Sequence, residues 1–146
     1  MPSWDISPQY LAGFIDADGS IFMQEHKTWK THTIVYPVVA AGCTDKMLIE
    51  AIHSSYGGVI ARDIKPKRGR LFYYYNTWSG QKAQHLLVLV APFLIIKQNQ
   101  AALALTWPLN PRSGYPLPDD IKEFRRSMLT QMRSLNHREA DFHDNA

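Results

Sequence analysis

At 146 residues with 45% apolar content, the chain has the length of one domain and enough hydrophobic material to form a core without staples. A single cysteine, Cys43, excludes an intramolecular disulfide or a multi-cysteine zinc site and fits a reducing, intracellular setting. The formal charge of +3 leans toward an anionic partner; no apolar run reaches transmembrane length, and the first residues lack the basic-then-apolar pattern of a secretory leader.

Ser7-Pro8 is a helix start, the hydroxyl capping a free amide and proline tolerating the first helical position, so a helix is expected from about 8 to 19. Within it Ala12, Gly13, Asp16 and Ala17 share one face, and small side chains there let another helix approach closely. Asp16 and Asp18 sit where the helix macrodipole is already negative, which predicts a cationic group nearby.

Residues 20–27 read as a strand leaving the helix directly, paired with 31–41 across a turn at 28–30. Ser20, Phe22, Gln24, His26 and Thr28 then line one face, mostly with neutral hydrogen-bonding groups suited to reading base edges, with Lys30 in the turn. Both phases of 31–41 are apolar, which leaves its inward face open.

A second helix is expected from a cap at Thr44 or Asp45 to Tyr56, covering the sheet. A second hairpin follows, pairing 59–65 with 71–78 across 66–69. Arg62, Lys65, Lys67, Arg68 and Arg70 face one acid, Asp63, and adjoin Tyr73, Tyr74 and Tyr75, a combination that favours phosphates and bases.

A third helix begins at Ser79-Gly80 and stops at Pro92; residues 93–105 restart as an apolar segment and helix, with Lys97 oddly placed at the junction. Residues 107–118 carry four prolines and form a connector. A last helix runs from Asp119 or Asp120 to about His137, leaving 138–146 as a polar, frayed tail on a single domain whose core spans about 7–137. No internal repeat is visible.

The stretch Leu11-Ala12-Gly13-Phe14-Ile15-Asp16-Ala17-Asp18-Gly19 resembles the signature of the LAGLIDADG homing endonucleases, departing at Phe14. Similar blocks recur at 45–52 before Tyr56-Gly57-Gly58, at Ser79-Gly80 with Leu86-Leu87, and at Pro92-Phe93-Leu94 with Lys97. The resemblance implies an α+β fold of order αββαββα, with a saddle-shaped antiparallel sheet lying on double-stranded DNA. It implies that Asp18 and the Ala17 carbonyl bind the catalytic Mg²⁺ (or Mn²⁺), that Lys97 lies near the scissile phosphates, and that Asp16 is structural at the seam. The chain departs from the pattern at Gly42-Cys43-Thr44, where many single-motif members carry a polar side chain near the metal.

One Asp18 per chain cannot complete a site for a hard divalent ion, so a homodimer with its two signature helices in contact is expected, cutting both strands of a long near-palindromic target with staggered ends. The alternative is a relative that binds DNA without cutting, or an intron-splicing maturase that binds RNA.

Overall fold

The computed structural model describes residues 4–27, 33–63, 71–112 and 114–144, with 138–144 as backbone alone. Helix α1 spans Pro8–Asp18, capped by Ser7, whose Oγ accepts from the Tyr10 amide at 3.1 Å. Strand β1 (Gly19–Lys27) follows without a linker and pairs antiparallel with β2 (Thr33–Cys43). Gly19 permits that abrupt change of direction, because a Cβ there would lie 2.8 Å from the Ile15 Cα and 2.9 Å from the Ala40 oxygen.

Helix α2 (Lys46–Tyr56) is capped by Asp45, as expected. The second hairpin, β3 (Val59–Arg62) and β4 (Tyr74–Ser79), completes a sheet of order β1-β2-β4-β3. β4 begins three residues later than its sequence predicts, although the Asp63 amide still donates to the Tyr73 carbonyl at 3.1 Å. Two inward β4 side chains secure the end of α2: Asn76 Nδ2 donates to Gly57 O at 2.8 Å and Trp78 Nε1 to Tyr56 O at 3.1 Å. Each satisfies a terminal carbonyl that the helix leaves without an internal partner.

Helix α3 (Gln81–Val90) gives way at Pro92 to a one-turn 3₁₀ helix (Ala91–Phe93), and α4 (Gln98–Leu105) follows. After the proline-rich connector, α5 runs Asp119–Asp144. This corrects the expected end near His137: the helix continues through most of the stretch read as a frayed tail.

The phase of β2 that its sequence left open is now assigned. Val35, Val39 and Ala41 are buried with Ile21 of β1 and Trp78 of β4, so these odd-numbered positions face the helices. That core is sealed by Leu11 and Ile15 of α1, Ile49 and Ile52 of α2, Leu86, Leu87 and Val90 of α3, and Met128 and Met132 of α5. Asn136 of α5 also donates to the Ile21 carbonyl at 3.2 Å, tying that helix to β1. Among the described residues, no helix packs on the opposite sheet face, where Ser20, Gln24 and His26 are exposed.

Candidate nucleic-acid interface and catalytic centre

The uncovered face is built by the even positions of β1 and β2 and their neighbours in β4. Ser20, Phe22, Gln24 and His26 pair with Ala40, Val38, Tyr36 and Ile34, and Tyr75 and Thr77 extend the row from β4. Ser20, Gln24 and His26 are exposed and Phe22 is half-buried, so the period-two reading of β1 holds. Arg62 does not join this row: it shares the phase of Ile60, lies opposite Tyr74, and sets its guanidinium 4.2 Å over the Phe72 ring. Thr28, Lys30, Lys65, Lys67, Arg68 and Arg70 lie outside the described residues.

One end of the face meets the end of α1, since Gly19 pairs with Ala41. Asp18 is exposed there, and its carboxylate accepts no hydrogen bond among the described residues. Asp16, two residues earlier, is wholly engaged. Its Oδ2 accepts from the Ile95 amide at 2.7 Å and its Oδ1 from the Lys97 amide at 3.1 Å, so a side chain of α1 caps the turn that leads into α4.

Lys97 answers the expectation of a cation at the negative end of α1. Its ammonium donates to the Asp16 carbonyl at 2.9 Å, on one of the helix's last carbonyls. The two contacts are reciprocal: Asp16 fixes the Lys97 backbone, and Lys97 returns its charge to the Asp16 backbone.

Beyond Asp18 the end of β2 carries Gly42 and Cys43. A Cβ at Gly42 would lie 2.5 Å from the Tyr74 oxygen and 2.6 Å from Tyr73 Cε1, so the absence of a side chain is what lets the Tyr73 ring lie on this strand. The Tyr73 ring also lies 6.4 Å from the Tyr75 ring, tilted by 34° to it. Burial, then the charges of Asp18, Cys43 and Asp63, push the Tyr73 phenol above its ordinary range. Cys43 is pushed up too, mainly by burial, with the negative charges of Asp45 and Asp18 adding to it and its hydrogen bond to the Asp45 carbonyl opposing. Both residues thus feel Asp18, which sequence spacing did not reveal.

Of the seam residues, Ala12 requires correction. It has no accessible surface, being packed into the protomer's own core, and is not available to a second chain. Gly13 and Ala17 are exposed on the other side of α1 with Tyr10, and the adjoining segment exposes Phe93, Ile95 and Ile96.

Donors for a metal are few. No group of three or more His, Cys, Asp or Glu side chains converges among the described residues; the ligands that the sequence resemblance implies are the Asp18 carboxylate, exposed at the end of α1, and the Ala17 carbonyl before it. Two oxygen donors are the right chemistry for Mg²⁺ but too few for six-fold coordination. No helix among the described residues is long and apolar enough to cross a membrane.

No protein-family model and no curated protein matches the chain. Solved structures do. The homing endonuclease I-CvuI, in complex with the I-CreI target in the presence of magnesium with the DNA not cleaved, superposes over 88% of this chain and 80% of its own, with a TM-score of 0.70 and 22% identity. The archaeal intron-encoded homing endonuclease I-Vdi141I, complexed with DNA, covers 88% of this chain and 82% of its own at a TM-score of 0.69 and 18% identity. The homing endonuclease I-TnaI aligns over 94% of this chain and 99% of its own, with a TM-score of 0.65 and 16% identity. Helix, two strands, helix, two strands and helix, closed by one four-stranded antiparallel sheet, are thus shared almost end to end, and the chain has the LAGLIDADG homing-endonuclease fold at the size of a single-motif unit.

Proposed function

We propose that this chain is a homodimeric, site-specific endonuclease that cuts both strands of duplex DNA with Mg²⁺ or Mn²⁺. The observation that carries the reading is Asp18: an exposed carboxylate without a hydrogen bond among the described residues, held at the meeting of α1 and the open sheet face, with the Lys97 ammonium on the adjacent turn. Such a group is poorly placed for stability, because an acid at a helix C-terminus is disfavoured by about 0.3–1 kcal/mol. A ligand cation accounts for it.

The dimer follows from the donor count and from Gly13. Beyond its own helix turn, no described atom lies within 4 Å of a Cβ built on Gly13, so the described packing does not require glycine there, although glycine in a helix costs about 0.5–1 kcal/mol relative to alanine. A second α1 packed on Gly13 and Ala17 supplies the reason and brings two Asp18 carboxylates together on a two-fold axis. When bound, the ion supplies charge neutralisation at the phosphate and an activated water.

The chain's own residues divide the remaining work. Asp18 and the Ala17 carbonyl hold the ion, Lys97 supplies positive charge beside the phosphodiester, and Asp16 holds Lys97 in place. Ser20, Gln24, His26 and Tyr75 present donors and acceptors to base edges in a major groove. By the two-fold symmetry, the site read is near-palindromic.

The test is cleavage of a randomised, palindrome-enriched duplex pool by wild type and Asp18→Asn in Mg²⁺, with sequencing of the ends. A symmetric motif with staggered ends from wild type alone supports the proposal. Equal cutting by Asp18→Asn refutes the mechanism, and stronger binding to structured intron RNA than to any duplex replaces it with the maturase reading.

A further inference from the structure

β2 is paired with β1 along its length, but β4 meets it only from Val38 onward, so the edge of residues 33–37 is closed by other means. Trp107 Nε1 donates to the Val35 carbonyl at 2.9 Å, and the Gly80 amide donates to Pro37 O at 2.8 Å. Between this edge and the first turns of α5 lies a cavity of about 560 Å³, whose lining includes Ile34, Asn110, Lys122, Arg125 and Arg126.

Its charge is one-sided. Lys122 and Arg126, one helical turn apart, are exposed, whereas Arg125 is only 8% exposed. The Arg125 guanidinium donates through Nε and Nη2 to the Pro108 carbonyl at 2.9 and 2.6 Å and stacks 4.1 Å over the Trp107 ring. No acid lines the cavity, and no described carboxylate pairs with any of the three cations; the ion pair found among described residues, Lys46 with Glu50, is on α2. Asp119 and Asp120 begin α5, and Asp120 is turned to the Ile121 amide. Burial holds the Arg125 guanidinium below its usual range.

Position selects the anion. Ile34 belongs to the open sheet face, opposite His26, and also lines the cavity, so the face runs over the free edge of β2 into the cationic wall. The seven residue-to-residue steps from Gly19 to His26 span about 24 Å, or about seven base pairs of duplex measured from the Asp18 end. We propose that this cavity is a second nucleic-acid site, off the sheet, that seats backbone phosphates of the duplex just beyond the outer end of each half-site. The proposal rests on the duplex-binding reading above and adds to it a contact that fixes register without reading sequence.

The test compares wild type with Lys122→Gln/Arg126→Gln, both exposed positions, on two mixed-sequence duplexes: about 14 base pairs, the span of two sheets, and about 34, which extends past both cavities. Binding is followed against salt. On the long duplex the variant is expected to lower the slope of log K against log salt by about 3 to 4, since four charges leave the dimer at about 0.9 each. On the short duplex its slope should equal that of wild type. Equal slopes on the long duplex overturn the cavity assignment while wild-type binding keeps the duplex reading; a loss confined to structured RNA also overturns it. Failure of wild type to bind either duplex sinks both.

Discussion

Asp16 and Asp18 are two residues apart and chemically identical, yet the structure gives them opposite thermodynamic roles, which a pair of substitutions separates. Asp16→Ala removes the acceptor for the Ile95 and Lys97 amides, at 2.7 and 3.1 Å. Hydrogen bonds to a charged group are each worth about 1.5–3 kcal/mol; with Asp16 half-exposed and water able to replace part of that, a net loss of about 2–4 kcal/mol is expected. At about 2–4 °C per kcal/mol for a chain of this size, the melting temperature falls by about 4–16 °C. Asp18→Ala deletes no hydrogen bond and relieves an unfavourable charge at the end of α1, so stability should hold or rise by up to about 1 kcal/mol. Asp16→Asn, retaining one acceptor oxygen, falls between. Urea unfolding followed by tryptophan fluorescence, without metal or DNA, reads all three. Asp16→Ala with a wild-type midpoint, or Asp18→Ala destabilised as much as Asp16→Ala, would refute the division.

Gly42→Ala places a methyl group within 2.6 Å of both the Tyr74 oxygen and Tyr73 Cε1, and should cost about 1–3 kcal/mol in the same unfolding assay as the tyrosine is pushed off the strand. Gly13→Leu should shift sedimentation from dimer to monomer while the melting temperature of the monomer holds, because no described atom beyond its own helix turn lies within 4 Å of the added Cβ. Because Cys43 and Tyr73 hold their protons more tightly folded than unfolded, their contribution to stability is present at neutral pH and is lost as pH rises through their raised folded values. Asp18→Asn, by removing one of the charges responsible, should move the pH profile of Cys43 alkylation and the Tyr73 absorbance titration downward; unchanged profiles would place Asp18 farther from both.

The helix caps, the order of elements and the outward row of β1 were legible because each rests on a local signal: Ser7-Pro8, Asp45, Pro92, and period-two alternation from Ser20 to His26. The inward phase of β2 was not, since both of its faces are apolar and only the register with Ile21 and Trp78 distinguishes them. Ala12 was misassigned for a related reason: smallness is shared by residues that admit a partner helix and residues that fit a crowded core, and Ala12 is of the second kind. Lys97 stood out in sequence as a charge at an apolar junction, but its partner is a backbone carbonyl 81 residues away, which no local pattern encodes. The same holds for Tyr73 on Gly42, and for Arg125 between Trp107 and Pro108. The long α5 ran past its expected end because polarity alone does not end a helix, and none of residues 138–144 is glycine or proline.

The geometry explains why one small chain would be organised as half of a site. α1 must do two incompatible things at its C-terminal end: leave a carboxylate bare for a cation, and keep the helix terminus stable with that bare charge present. Asp16 and Lys97 reconcile them, since the carboxylate two residues earlier is held by two backbone amides and the cation whose backbone it fixes donates to the Asp16 carbonyl near the helix end. The Asp18 carboxylate, exposed and without a hydrogen bond among the described residues, lies where the open sheet face begins. A second copy related by a two-fold axis through Gly13 doubles that one donor and, by the same operation, lays two sheets end to end with a cationic cavity at each far end. On the proposed dimer, chemistry at the centre, base reading along the strands and phosphate anchoring at the ends would all be set by a single symmetry operation, so a change at Gly13 that breaks the dimer should abolish cutting and halve the salt slope together, whereas a change at Asp18 should abolish cutting and leave the slope untouched.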